Sequence, residues 1–273
     1  MKFLFLGDIV GSPGRRVLRR FVPELRAKEG LDLIIANGEN AAAGKGMDEK
    51  CLREVFEAGV DVITGGNHSW AKKEAFDLIK NEPCFLRPAN YPALDIPGVE
   101  CAPGRGHVVV QLRGLKLAVI NLLGRVHMEP VLDCPFECAH RIVSMLQSEG
   151  IQHIVVDMHA EATSEKQAMA HFLAGRVSAV LGSHTHVQTA DERILRNSGR
   201  DTAYITDAGM TGPYDSVVGM TKERSLARFL SKLPQRYEAA EHQAGLHGVV
   251  VELDDLTGSA RTIRRVSLFE PSL

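Results

Sequence analysis

Five short apolar runs in this chain each stop at residues able to hold a metal ion or a phosphate. Lys2 to Leu6 ends in Gly7-Asp8, Leu31 to Ala36 in Asn37-Gly38-Glu39-Asn40, and Val60 to Thr64 in Gly65-Gly66-Asn67-His68. Further on, Ile151 to Val156 ends in Asp157-Met158-His159, and Val177 to Leu181 in Gly182-Ser183-His184-Thr185-His186. Short apolar runs alternating with helical patterns read as buried strands of a parallel sheet carrying helices on its faces. The carboxyl ends of such strands share one edge, and ligands bind there. The pattern therefore predicts a fold and the place of its site together.

The intervening stretches carry their own signals. Pro13-Gly14 opens an amphipathic segment over about 15–28, with Val17, Leu18, Phe21, Val22 and Leu25 at helical spacing and Gly30 as a stop. Similar patterns predict helices over 48–57, 71–80, 136–148, 165–174 and 225–233. Residues 107–112 and 116–122 flank Arg113-Gly114-Leu115 and predict a hairpin, and 203–206, 248–253 and 262–267 read as further strands. No linker or repeat divides the 273 residues, so one domain over 1–273 is expected. Its sheets are mixed, in one layer or in a two-sheet sandwich, with helices outside.

Composition narrows the functional classes. Hydrophobic residues at 44% and charged residues at 24% exclude a disordered or fibrous chain. The formal net charge of -2 supplies no broad basic field for nucleic acid or anionic membrane, leaving only a local patch open. No apolar run approaches the roughly 18 to 20 residues of a membrane span. Met1 to Leu6 lacks the length and cleavage site of a signal peptide, and a cytoplasmic protein is expected. The five cysteines are odd in number and irregularly spaced, which reads as reduced and structural, and Cys134 and Cys138 lack a second pair for zinc.

Each polar strand-end residue alone reads as a turn, a cap or a structural histidine. Independent caps do not place one Asp, one Glu, two Asn and three His at matching strand ends. The set predicts a metal site of Asp8, Glu39, Asn40, Asn67, His159, His184 and His186. Imidazole, carboxylate and amide oxygen without thiolate suit iron, manganese or zinc, and suit magnesium or calcium poorly. These are too many ligands for one tetrahedral ion, whereas a bridging carboxylate serves two ions about 3.5 Å apart. Two divalent ions against Asp8 and Glu39 leave a positive pocket suited to an anionic substrate such as a phosphate ester.

These motifs, in this order over about 180 residues, resemble the calcineurin-like metallophosphoesterase superfamily. Two departures stand out: Ile9-Val10 follows Asp8 where the superfamily has Asp-x-His, and Glu39 replaces its bridging Asp. Both changes, with Gly7-Asp8-Ile9-Val10-Gly11, Gly38-Glu39-Asn40-Ala41-Ala42 and the segment Thr206 to Pro213, are similar to the YmdB-like family of cyclic nucleotide phosphodiesterases, over nearly the whole chain. The resemblance implies a calcineurin-like α/β sandwich of mixed β-sheets flanked by helices, with the metal site at strand C-terminal ends. It implies one ion held by Asp8, Glu39, Asn40 and His186 and another by Glu39, Asn67, His159 and His184, with Glu39 bridging and Asn40 replacing the missing His. It further implies iron as the metal, 2′,3′-cyclic nucleotides as substrates, and an indirect link to RNA turnover.

His68 follows Asn67 directly, so its ring can stand beside the ions unbound. It is the expected general acid for the leaving ribose oxygen, the alternative being orientation of phosphate by a hydrogen bond. Two other readings remain at this point: a phosphomonoesterase such as a nucleotidase, and a metal-binding regulatory or RNA-associated protein with vestigial catalysis. The expected partner is a small phosphodiester or cyclic nucleotide, with no membrane, and a homo-oligomer stays open. Tyr91 and Tyr214 are candidates for base stacking, with packing as the default. Gly44-Lys45-Gly46 reads equally as a phosphate loop or a solvated turn. His107, His127, His140, His153, His171, His242 and His247 read as structural.

Overall fold

The computed structural model describes residues 1–94 and 96–271. The chain opens with β1 (Lys2–Leu6), β2 (Asp8–Ile9), α1 (Gly11–Glu29), β3 (Leu33–Asn37), α2 (Glu49–Glu57), β4 (Val62–Thr64), α3 (Ala75–Asn81) and β5 (Phe85–Leu86). The middle holds β6 (His107–Leu112), β7 (Leu115–Leu123), α4 (Pro135–Ser148), β8 (His153–His159), α5 (Thr163–Leu173) and β9 (Ala179–Ser183). The last part holds β10 (Arg193–Leu195), β11 (Thr202–Ile205), β12 (Met210–Pro213), α6 (Lys222–Ser231), β13 (Ala244–Leu253) and β14 (Ala260–Phe269).

The strands form two mixed sheets. One runs β2-β12-β13-β1-β3-β4-β5, with β14 paired to β13, and the other runs β10-β11-β9-β8-β7-β6. Side chains alternate across each strand and sort the apolar residues into three layers. Leu4, Leu6, Ile34 and Ala36 pack under α1 and α2, while Phe3, Phe5, Leu33 and Ile35 face the second sheet. In that sheet Ile154, Val156 and Met158 pack under α4 and α5, while Val155, Leu181 and Ile205 meet the first sheet. The result is the two-sheet sandwich with outer helices that the resemblance implies.

The strand boundaries follow local chemistry. Gly30 ends α1 in the left-handed region, at φ 63, and its N–H bonds Arg26 O. Asp48 caps α2 by accepting from the Cys51 N–H at 2.8 Å. Arg113 and Gly114 both take positive φ in the β6–β7 turn, as a tight hairpin requires. Helix starts differ from expectation most at α1, α3 and α6, the last beginning at Lys222 where 225 was expected. α1 begins at Gly11, with Pro13 inside its first turn where a missing N–H costs nothing. α3 begins only at Ala75, because 71–74 is spent in turns after the Asn67-His68 corner. The short strands β2, β5, β10 and β12 carry too few residues for a periodicity to register. Among the described residues no helix is long and apolar enough to cross a membrane, and all five cysteines are free.

The carboxyl ends of β3 and β4 in one sheet meet those of β8 and β9 in the other, and polar side chains take over from the core. Asn37 Nδ2 donates to Asp157 Oδ2 at 3.2 Å, and Thr64 Oγ1 donates to the same carboxylate at 2.5 Å.

Candidate metal centre

Each sheet delivers part of the cluster. Asp8 starts β2, Glu39 and Asn40 follow β3, and Asn67 and His68 follow β4. His159 ends β8, and His184 and His186 lie just beyond β9. Asp8, Glu39, Asn40 and His159 are buried, and His184 and His186 are partly open. All seven predicted ligands and His68 come together.

His159 stands at the centre. Its Nε2 lies 3.1 Å from Asn67 Oδ1, 3.3 Å from Glu39 Oε1 and 3.2 Å from His184 Nδ1. One ring nitrogen carries at most one proton, so it cannot satisfy all three neighbours. Acceptor atoms aimed at one another in this way suit a cation between them, and Glu39, His159 and His184 each offer an atom to such a site. Gly66 keeps that space open: a Cβ there would run into Glu39 Oε2 and His159 Nε2. The residues present therefore fit metal binding.

The other ring nitrogen of each histidine is held from behind. His159 Nδ1 lies 2.9 Å from Ser183 Oγ, which donates to Asp157 Oδ1 at 2.6 Å. His186 Nδ1 donates to Val218 O at 2.8 Å, and His184 Nε2 lies 3.1 Å from Glu161 Oε2. Such partners orient an imidazole and fix which nitrogen it offers. His186 Nε2 faces Asp8 Oδ1 at 3.6 Å and Asn40 Nδ2 at 3.2 Å.

Electrostatics point the same way. Burial alone would lower the His159 pKa, but the carboxylates of Glu39 and Asp8 lift it to about 9. Burial and the charge on His159 push His184 down to about 3. Glu39 is held well below its ordinary value, because His159 and His68 outweigh burial. Burial lifts Asp157 to about 6. A positive charge among these carboxylates is thus favoured, whether a proton on His159 or a cation that displaces it.

The turn carrying His184 and His186 is strained. Both residues take positive φ, 102 and 65, which side chains rarely adopt and which costs about 1–3 kcal/mol per residue. Asp8 Oδ2 accepts from the His184 N–H at 2.9 Å, and Asp207 Oδ2 accepts from the Thr185 N–H at 3.0 Å. Asp207 is in turn paired at 2.8 Å with the fully buried Lys166 of α5. Sequence reasoning named Asp157 and Ser183 at strand ends without a role, and did not name Glu161 or Lys166. Asp157 had a signal, since it sits two residues before His159 on the same strand face.

Asn40 differs from its expected pose. Its Oδ1 faces His68 Nδ1 at 2.8 Å, and its Nδ2 faces Glu39 Oε1 at 3.2 Å and Asp8 Oδ1 at 3.5 Å. An amide nitrogen is not a ligand, so holding a cation requires a half-turn of this carboxamide. Asn67 already presents its oxygen to His159. His68 donates its backbone N–H to Glu39 Oε2 at 2.8 Å, and its ring is 30% exposed at the mouth of the cluster.

Both tyrosines take part in packing, and each also lines a cavity. Tyr91 stands edge-on to Trp70, with centroids 5.8 Å apart, and packs on Leu123, Met128 and Leu132. Tyr214 lies 4.4 Å from His247 and 5.1 Å from Phe269. The 42–46 loop closes on itself through the Ala42 N–H to Gly46 O bond at 2.8 Å, and Lys45 is exposed. A cavity of about 840 Å³ lined by Arg87, Arg105, His107 and Arg141 touches none of the cluster residues.

The chain is 48% identical to the 2′,3′-cyclic-nucleotide 2′-phosphodiesterase of Bacillus subtilis (strain 168), over 97% of this chain and 96% of that one. A crystal structure of a hypothetical protein from Thermus thermophilus superposes with a TM-score of 0.88 at 42% identity, covering 99% of this chain and 100% of the other. A crystal structure described as a novel phosphatase from Mycoplasma pneumoniae gives 0.90 at 33% identity, covering 100% and 94%. The sandwich, the strand-end cluster and these likenesses agree with a match of the YmdB-like protein family to residues 4–266, and the chain belongs to that family.

Proposed function

We propose that this protein is a metal-dependent phosphodiesterase that hydrolyses 2′,3′-cyclic nucleotides. The observation that carries the reading is the position of Glu39, buried between the first sheet's Asp8, Asn40 and His68 and the second sheet's His159. A carboxylate so placed suits a bridge between two cations, one beside Asp8, Asn40 and His186 and one beside Asn67, His159 and His184. Iron is the proposed metal, with manganese or zinc as alternatives, on the chemistry of the donor set. Bound there, two cations supply an activated water and offset charge on the phosphoryl oxygens.

The chain's own residues do the rest. Asp8 and Glu39 leave the pocket positive once cations are bound, which draws the phosphate in. His68 reaches the mouth with one ring nitrogen on Asn40 and the other free to face the ester oxygen. It gives its proton to the ribose 2′ oxygen as a water oxygen bonds phosphorus and the P–O2′ bond breaks, leaving a nucleoside 3′-phosphate. The name of the Bacillus relative supports that choice of bond. The proposal extends to a single domain over 1–273, action in the cytoplasm, and an indirect link to RNA turnover.

The test is turnover of 2′,3′-cyclic nucleotides by protein reconstituted with iron, manganese or zinc, beside bis-p-nitrophenyl phosphate and p-nitrophenyl phosphate. Cleavage of the cyclic nucleotides and the diester is expected. Strong preference for the monoester would favour a phosphomonoesterase, and salt-dependent RNA binding without turnover would favour a regulatory protein.

A further inference from the structure

A cavity of about 840 Å³ lies between β6, α4 and the segments 87–94 and 101–106, apart from the strand-end cluster. That volume falls within the roughly 300–1,000 Å³ of small-molecule sites. Arg87, Arg105 and Arg141 line it, and no Asp or Glu lines it among the described residues. Other arginines of the chain, such as Arg15, Arg26 and Arg264, sit in ion pairs with carboxylates, and these three sit in none among the described residues.

The three cations are held in different ways. Arg87 is half-buried, and its guanidinium donates to the carbonyls of Pro88, Ala102 and Pro103 at 2.8, 3.3 and 3.1 Å. Carbonyls fix its direction but leave its charge uncompensated, and burial holds its pKa below the usual arginine value. The ionisable groups acting on it are Cys138, Tyr91 and Cys101, none of them a carboxylate. A buried charge without a counterion is costly, so an anion that enters beside it is favoured. Arg105 and Arg141 are exposed, and among the described residues the side chain of Arg141 donates only to Cys138 Sγ, at 3.8 Å. Burial lowers the pKa of His107, and the charges of Arg105 and Arg141 lower it further against that of Glu149, so both guanidiniums stand close to this one lining ring.

Around the cations the wall is apolar. Leu94, Val109 and Met145 reach the cavity from exposed positions, and the Arg87 guanidinium lies 5.9 Å from the centre of the Tyr91 ring. We infer that this cavity is a second ligand site, which takes a nucleoside monophosphate. Guanidinium forks pair with phosphate oxygens and their faces stack on flat rings, so one set of side chains serves both halves of such a molecule. Three cations without carboxylate partners suit the double charge of a phosphate monoester better than the single charge of a carboxylate. The site shares no residue with the cluster and does not depend on what the cluster hydrolyses.

Equilibrium dialysis of the metal-loaded protein against adenosine 5′-monophosphate counts the bound equivalents, and the count is repeated after chelation of the metal. Without cations Asp8 and Glu39 repel a phosphate, so binding that survives chelation lies away from the cluster. One such equivalent is expected, and adenosine, which lacks the phosphate, should bind about tenfold more weakly or worse. Arg105→Ala combined with Arg141→Ala should weaken the nucleotide by about tenfold or more, while turnover of bis-p-nitrophenyl phosphate by the metal-loaded variant stays unchanged. Arg105→Lys combined with Arg141→Lys keeps the charges without the forks and should lose less. No equivalent surviving chelation, adenosine binding as tightly as the nucleotide, or unchanged binding in the double alanine variant would each overturn the site.

Discussion

Asn40 Oδ1 stands 2.8 Å from Nδ1 of His68, so a proposed metal ligand and the proposed general acid share one contact. The half-turn that brings the Asn40 oxygen to a cation also brings its NH₂ to His68. In the pose observed Nδ1 faces two acceptors, Asn40 Oδ1 and Glu39 Oε1 at 3.2 Å, and the half-turn would set a donor against it in place of the first.

Asn40→Ala is accordingly expected to weaken one of two cations preferentially and to lower kcat beyond what re-saturation with metal restores. Metal titration followed by assay at saturating metal separates the two effects. Unchanged occupancy and rate would return Asn40 to the role of a turn residue.

Glu39→Gln keeps the shape of the side chain and removes its charge. A carboxylate serving two cations neutralises both, so both sites should empty together. Elemental analysis checks this, and two full equivalents of metal in the variant would contradict the bridging assignment.

His68→Ala should retain both cations and lower kcat on cyclic nucleotides by about 10²-fold or more. Nitrophenolate leaves without a proton, so bis-p-nitrophenyl phosphate should suffer much less. A phosphate-orienting role predicts similar losses on both substrates, and a ligand role predicts loss of metal.

Ser183→Ala removes the hydroxyl between His159 Nδ1 and Asp157. The imidazole then loses the nearer of two partners at Nδ1, Asn37 Nδ2 remaining at 3.2 Å, and metal affinity should fall about 10- to 100-fold. Calorimetric titration with Mn²⁺ measures this, with the melting temperature of the metal-free variant as the control. An affinity within twofold of the unaltered protein would show that Asn37 and packing orient His159 without Ser183.

Lys166→Met leaves Asp207 buried without its cation, beneath the turn that carries His184 and His186. Breaking a buried pair from one side costs about 3–5 kcal/mol. Urea unfolding should show that loss, and Lys166→Met with Asp207→Asn should recover part of it. A single-variant cost below about 1 kcal/mol would mean that Asp207 is satisfied by backbone N–H groups alone.

The longer strands, most helices and the cluster members are legible in the sequence, because the patterns that mark them are local. Side-chain alternation needs only a handful of residues, and Gly7, Gly38, Gly66 and Gly182 mark where the backbone turns into polar residues. Local spacing cannot say that Glu39 meets His159, or that Asn37 meets Asp157, 120 positions away. Those contacts exist because apolar faces such as Phe5 and Val155 draw two sheets together, and the sheets carry their polar ends with them. Residue order alone places particular side chains at the strand ends. Packing of the sheets settles which atoms of Asn40 face the cluster, that Ser183, Val218 and Glu161 hold the histidines from behind, and that Lys166 pins the turn through Asp207. Each of these is a directional contact between distant segments, and its geometry arises only when the two sheets close on each other.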